Sequence, residues 1–212
     1  MADAKYSEWM GDVMPLLLAD PSEPVVMRAI KRAAIDFCTG SWIWRSLPDP
    51  TGIIAGLNAY DLDVPTGADP VAVLTALISG VKLGNRDTGW LDVNVANWRT
   101  VRGTPRHFTQ IDSEQILIAP LPDTSIPMGL TMTLVLAPSV TSTAVPRWLF
   151  NDNVYDIAEG AAARLMLMPG RPWSNEKQGA FRQLVFMAAI AKARERATAS
   201  LSRSPTRVSY QH

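Results

Sequence analysis

Leu130-Thr131-Met132-Thr133-Leu134-Val135-Leu136 alternates apolar and polar side chains with a period of two. Leu130, Met132, Leu134 and Leu136 face one way and Thr131 and Thr133 the other, which predicts a strand with one face on a core. The same character extends from Thr51 to Val145, where proline, glycine and threonine punctuate short runs. Val71–Ile78 reads as a mostly buried strand, and Gln115-Ile116-Leu117-Ile118 as another, ended by Pro120 and Pro122. Gly52–Ala55, Ala59–Leu62, Val81–Leu83, Trp90–Asp92 and His107–Gln110 are weaker candidates. Short strands with turns every roughly 8–12 residues predict an antiparallel sandwich or small barrel.

Outward from this region, the periodicity becomes helical on both sides. Tyr6 to about Leu18 repeats Trp9, Val13 and Leu17 every four residues, with Pro15 placed to kink or divide it. From Pro24, the residues Val25, Ala29, Ala33 and Phe37 stack on one face while Arg28, Lys31 and Arg32 provide a polar side. That helix is expected to run to about Arg45, before Pro48 and Pro50 forbid more. Pro146 suits a helix start. Asn151–Met168 then carries Val154, Ile157, Ala158, Ala161, Leu165 and Met168 at helical spacing, ended by Pro169-Gly170-Arg171-Pro172. A last helix is expected from Ser174 to about Ser200, about 40 Å long. Phe181, Leu184, Val185, Ala188 and Ala191 line one face of it. The fold class is therefore α+β. Residues 1–50 and 146–200 supply the helices of one bundle, 51–145 form an antiparallel β-rich insert, and 201–212 form an extended C-terminal tail.

Hydrophobic residues make up 47% of the 212 residues and charged ones 19%, the balance of a globular chain. The single cysteine, Cys38, excludes an internal disulfide and fits a reducing compartment. No apolar run approaches the roughly 20 residues of a membrane span. The first residues, Met-Ala-Asp-Ala-Lys-Tyr-Ser-Glu-Trp, lack the apolar core of a signal peptide. The net charge of zero hides an asymmetry: residues 171–212 carry eight Lys and Arg against Glu176 and Glu195 alone. A basic arm on an acidic body can meet nucleic acid, an acidic membrane or an acidic protein surface.

The residues for catalysis are sparse. With only His107 and the terminal His212, a histidine metal site or a Ser-His-Asp triad would rest on His107 alone. Nucleophile-elbow, phosphate-loop and dinucleotide motifs are all missing. Cys38 falls on or near the stripe led by Phe37 and reads as a small core residue. Asp61 with Asp63, and Asn151-Asp152-Asn153, are the acidic clusters to weigh for a divalent cation. Neither has a calcium-loop pattern, and turn chemistry accounts for them. No catalytic, cofactor or metal residue is assigned. Seven tryptophans remain. Trp42, Trp44, Trp148 and Trp173, at helix ends and starts, either close a core or anchor subunit contacts, where Trp and Arg are enriched. Trp98-Arg99 and Val101-Arg102 carry a faint nucleic-acid signature, so a nucleic-acid-binding module using the basic arm is the alternative reading.

An ordered set of segments resembles the head-to-tail adaptor (gateway, or tail tubular protein A-like) family of tailed bacteriophages. They are Glu23-Pro24 with Ala29–Cys38 and Trp42-Ile43-Trp44-Arg45; Tyr60–Pro65; Gly80–Leu83; and Gly103–Phe108 shortly after Trp98. Ile118–Pro122, Ala137-Pro138-Ser139, Glu159-Gly160-Ala161, Leu165–Asn175 and Ala191–Arg194 follow. Together they span about residues 8–196. The resemblance implies a structural, non-enzymatic subunit of the virion at the head–tail junction, made in the host cytoplasm and without a membrane. It implies self-assembly into a ring, commonly a dodecamer, between the portal protein and a downstream tail or nozzle protein. DNA would pass through the channel without sequence-specific binding. In relatives the C-terminal segment docks on the portal; by position and charge, that segment here carries Arg194, Arg196, Arg203, Arg207, Val208 and Tyr210.

Overall fold

The computed structural model describes residues 3–199. It begins with β1 (Asp3–Lys5), a 3₁₀ turn at Tyr6–Trp9, α1 (Met10–Val13), a second 3₁₀ turn at Met14–Leu16, and α2 (Glu23–Ser41). Next come β2 (Arg45–Ser46), β3 (Thr51–Ile53), β4 (Ala59–Asp61), β5 (Ala68–Ile78), β6 (Val81–Lys82), β7 (Gly84–Asn85) and α3 (Thr88–Asn94). β8 (Arg102–Gly103), β9 (His107–Gln110), β10 (Gln115–Ala119), β11 (Leu121–Pro122), β12 (Ile126–Pro138) and β13 (Ala144–Pro146) follow. The last elements are α4 (Arg147–Met166) and α5 (Glu176–Ala199). The chain is thus mixed α and β. The described residues up to Ile43 and from Thr143 onward form one compact unit, and Trp44–Ser142 a second.

In the helical unit, α2 buries Val26, Ala29, Ile30, Ala33, Ala34, Phe37 and Cys38 on one side. Pro24 sits in its first turn, where a missing N–H costs nothing. The helix stops at Ser41, earlier than Arg45, because Trp42 turns left-handed (φ 56°). The Trp42 N–H still donates to the Cys38 carbonyl, at 3.0 Å. The helix expected over Tyr6–Leu18 is broken into three short pieces, with Pro15 in the last. Trp9 is fully buried and meets the Phe150 ring edge-on at 4.5 Å. β1 pairs antiparallel with β13, and Arg147 pairs with Glu8, so the N-terminal segment is fixed beside the start of α4. α4 starts four residues before Asn151, directly after Pro146. It kinks at the buried Asn153 (φ −137°, ψ 22°).

In the β unit, β12 is the central strand and pairs antiparallel with β5 from Leu130↔Ile78 to Pro138↔Ala68. β2, β3 and β6 complete that sheet, in which Leu130, Met132, Leu134 and Leu136 are buried as the alternation predicts. Val135 and Ala137 are buried as well. The register slips between Thr133 and Leu134 and again between Val135 and Leu136, and bulges of this kind re-aim side chains. A second sheet runs β4-β10-β9-β7, with β7 and β9 parallel, and β8 pairs with β11. Among the described residues these sheets stay open, so the small-barrel option is not the one adopted. The other correction is Trp90–Asp92, expected as a strand. It lies in α3, where the Asp87 carboxylate caps the helix by accepting from the Trp90 N–H at 2.8 Å.

Candidate interaction surfaces

Two apolar sets compete for the interior side of α5, and packing geometry decides between them. Gly179, Phe186 and Ala193 recur every seven residues and are buried. Phe186 fits because α4 offers Gly160: a Cβ there would lie 2.6 Å from the Phe186 ring. Gly40 of α2 does the same for Ile190, whose Cγ2 would come 2.6 Å from an added Cβ. Polar anchors help hold α5 in place. Arg182 Nη1 donates to both carboxylate oxygens of Glu159 at 2.7 Å. Arg196 donates to Asn153 Oδ1, at the kink of α4. Arg194 donates to the Gly40 carbonyl at 3.1 Å and lies over the Trp42 ring at 4.0 Å.

The stripe Phe181, Leu184, Val185, Ala188 and Ala191 is therefore the outer face of α5. Phe181 is 67% exposed, Leu184 71%, and Met187 beside them 55%. Val185, Ala188 and Ala191 are exposed too. Together they make an apolar side of α5 that faces solvent. The seven-residue recurrence of Gly179, Phe186 and Ala193 is the signal in the sequence that distinguishes the inner seam, since small residues let helices approach.

The residues singled out from the sequence are scattered. Trp42 is half-buried under Arg194, and Trp148 and Trp173 are half-buried. Trp44 is only 8% exposed and belongs to the core of the β unit, which leaves little of it for a neighbouring subunit. Arg194 and Arg196 are engaged inside the helical unit, as described above. Arg203, Arg207, Val208 and Tyr210 lie outside the described residues. The aromatic face needed for nucleic acid is also occupied: Trp98 is buried, its indole N–H donates to Asp92, and Arg99 covers its ring while pairing with the same carboxylate. Those two hydrogen bonds hold the Asp92 carboxyl below its usual range.

Groups that would carry chemistry are likewise spoken for. Cys38 is fully buried, and burial pushes its thiol up. His107 is half-buried against the edge of Trp90, and burial, then Arg86 and Arg106, hold it below its ordinary value. Asp61 accepts from the Gln115 amide at 2.7 Å. Among the described residues, no group of three or more His, Cys, Asp or Glu is placed to hold a metal ion. No helix among them is long and apolar enough to cross a membrane.

The sequence matches the SU10 adaptor protein family over residues 4–209. The chain belongs to that family. No curated protein matches it. Membership bears out the resemblance carried by the ordered segments and makes the chain a phage adaptor, a structural component of the virion. An SU10 adaptor meets other head or tail proteins.

Proposed function

We propose that this adaptor is a head-to-tail connector subunit: copies form a ring that joins the portal to the tail and continues the DNA channel. Helices from both ends of the chain form the assembling bundle, and the β-rich segment is its insert. The observation that carries this reading is the outer face of α5. Phe181, Leu184 and Met187, each more than half exposed, form a stripe that an isolated subunit gains nothing by leaving in water. Repeating a modest contact around a ring multiplies its strength. The C-terminal segment with Arg203, Arg207, Val208 and Tyr210 reaches the portal, while Arg194 and Arg196 fix the helix from which it starts.

Electron microscopy of the purified protein, alone and with portal, tests the reading. Rings or portal-bound density are expected. Leu184→Glu should keep the fold and abolish them, and removal of residues 201–212 should leave a folded body that no longer attaches to portal. Free monomers that never join portal under any condition would overturn the connector role.

A further inference from the structure

A second surface of the helical unit is charged rather than apolar. An open groove of about 880 Å³ is lined by Val25, Arg28 and Arg32 of α2, Arg164 of α4, and Arg171 and Trp173 from the segment before α5. It contains four guanidiniums, and none of its lining residues is acidic. Arg164 pairs with Asp36, but the side chains of Arg28, Arg32 and Arg171 have no ion pair among the described residues. Burial first, and then the like charge of Arg32, hold the Arg164 guanidinium below its ordinary value. The Trp173 indole N–H is shielded from solvent and finds no acceptor among the described residues. An indole N–H without an acceptor and four guanidiniums among apolar lining residues suit a carboxylate-bearing partner with an apolar body.

The N-terminal half of α4 carries the complement. Asp152 stands just before the kink at Asn153 and Tyr155 and Asp156 just after it, so two carboxylates flank an exposed ring in sequence. Tyr155 is 75% exposed, and neither carboxylate has an ion pair among the described residues. Within one subunit the two surfaces do not meet: Tyr155 and Arg164 lie on the same helix nine residues apart, which is about 13 Å along its axis.

We propose that Tyr155 of one copy, flanked by Asp152 and Asp156, seats in the arginine groove of the next copy. The contact rests on the ring reading above and deepens it by adding a charged contact to the apolar one of α5. It is heterologous: a copy that gives its aromatic knob to one neighbour keeps its groove open for another, the kind of contact that makes a ring when its rotation closes. Tyr, Trp and Arg are also the residue types that dominate interface energetics. The apolar lining residues Val25, Leu167, Met168 and Trp173 favour a side chain over a DNA phosphate, which needs no apolar contact.

The test uses two full-length charge reversals, Arg28→Glu/Arg32→Glu and Asp152→Arg/Asp156→Arg, with self-association read by sedimentation and folding by circular dichroism. Each variant alone should associate roughly tenfold more weakly than the wild type, or worse, because its knob and groove now repel. An equimolar mixture should recover assembly, since each reversed face then meets its opposite. Tyr155→Ala, a milder change, should weaken association without altering charge. If both reversals fold and assemble as the wild type does, the proposal is wrong while the ring stands. If the wild type forms no ring alone or on portal, the connector reading itself falls. Loss of duplex-DNA binding or of portal attachment, with self-association intact, would give the groove to that other partner and overturn the proposal.

Discussion

α2 and α5 both carry an apolar stripe at helical spacing, yet they end in opposite situations. The stripe of α2, from Val26 to Cys38, is buried within its own subunit. On α5, Phe181, Leu184 and Met187 face solvent, and the interior goes to Gly179, Phe186 and Ala193. Periodicity reports that a face needs covering. It does not report who covers it. In α2 the cover comes from the same chain, since Phe37 lies near Phe186, with ring centres 6.3 Å apart. In α5 the inner face is chosen by the steric fit of Phe186 over Gly160, which leaves the richer apolar face exposed to solvent.

Substitutions can break this contrast. The largest effect on stability is expected from Phe37→Ala, at about 3–5 kcal/mol by chemical denaturation. The matching change on α5, Phe181→Ala, should stay within about 0.5 kcal/mol and act on assembly instead. Equal losses from the two would show that the outer face of α5 is covered within the subunit. Gly160→Val comes next, at about 1–3 kcal/mol, because the new side chain must displace the Phe186 ring. A thermal melt unchanged by this substitution would mean that α5 is not seated on α4 as described. Arg182→Ala should cost on the order of 1 kcal/mol, since it breaks a two-oxygen contact with Glu159 at a partly buried site.

The smallest effect sharpens the contrast from outside the helical unit. His107 is the only histidine among the described residues, and it lies in the β unit. Its folded-state value is below the ordinary 6.5, so the neutral ring is favoured in the folded protein. Stability from this group is complete at neutral pH and declines as pH falls below about 6.5. His107→Gln should flatten the melting temperature between pH 7 and 5.5. The faces assigned to subunit contact hold no histidine among the described residues, so association between subunits should stay constant over that interval.

Several elements were legible because their signals are local. The alternation around Leu130–Leu136 gives the central strand, and the four-residue repeat through Phe37 gives α2. The ordered segments were enough for the family. α3 is hidden in the sequence because Trp90-Leu91-Asp92 has a strand-like composition, whereas the Asp87 cap that starts the helix is a hydrogen bond, not a composition. The tryptophans were harder still. Trp42 and Trp44 are two residues apart, but one lies under Arg194 and the other in the core of the β unit.

By itself, then, the sequence determined the mixed fold class, the apolar stripes, the basic excess after residue 170 and the adaptor family. Each of these depends on neighbours along the chain. Only the tertiary structure decided which side of α5 faces inward, that Arg194 and Arg196 are already engaged, and that Arg28, Arg32, Arg164 and Arg171 share one groove. Those outcomes depend on how closely α2, α4 and α5 approach. That approach is set by what a Cβ at Gly40 or Gly160 would strike, a distance no linear pattern contains.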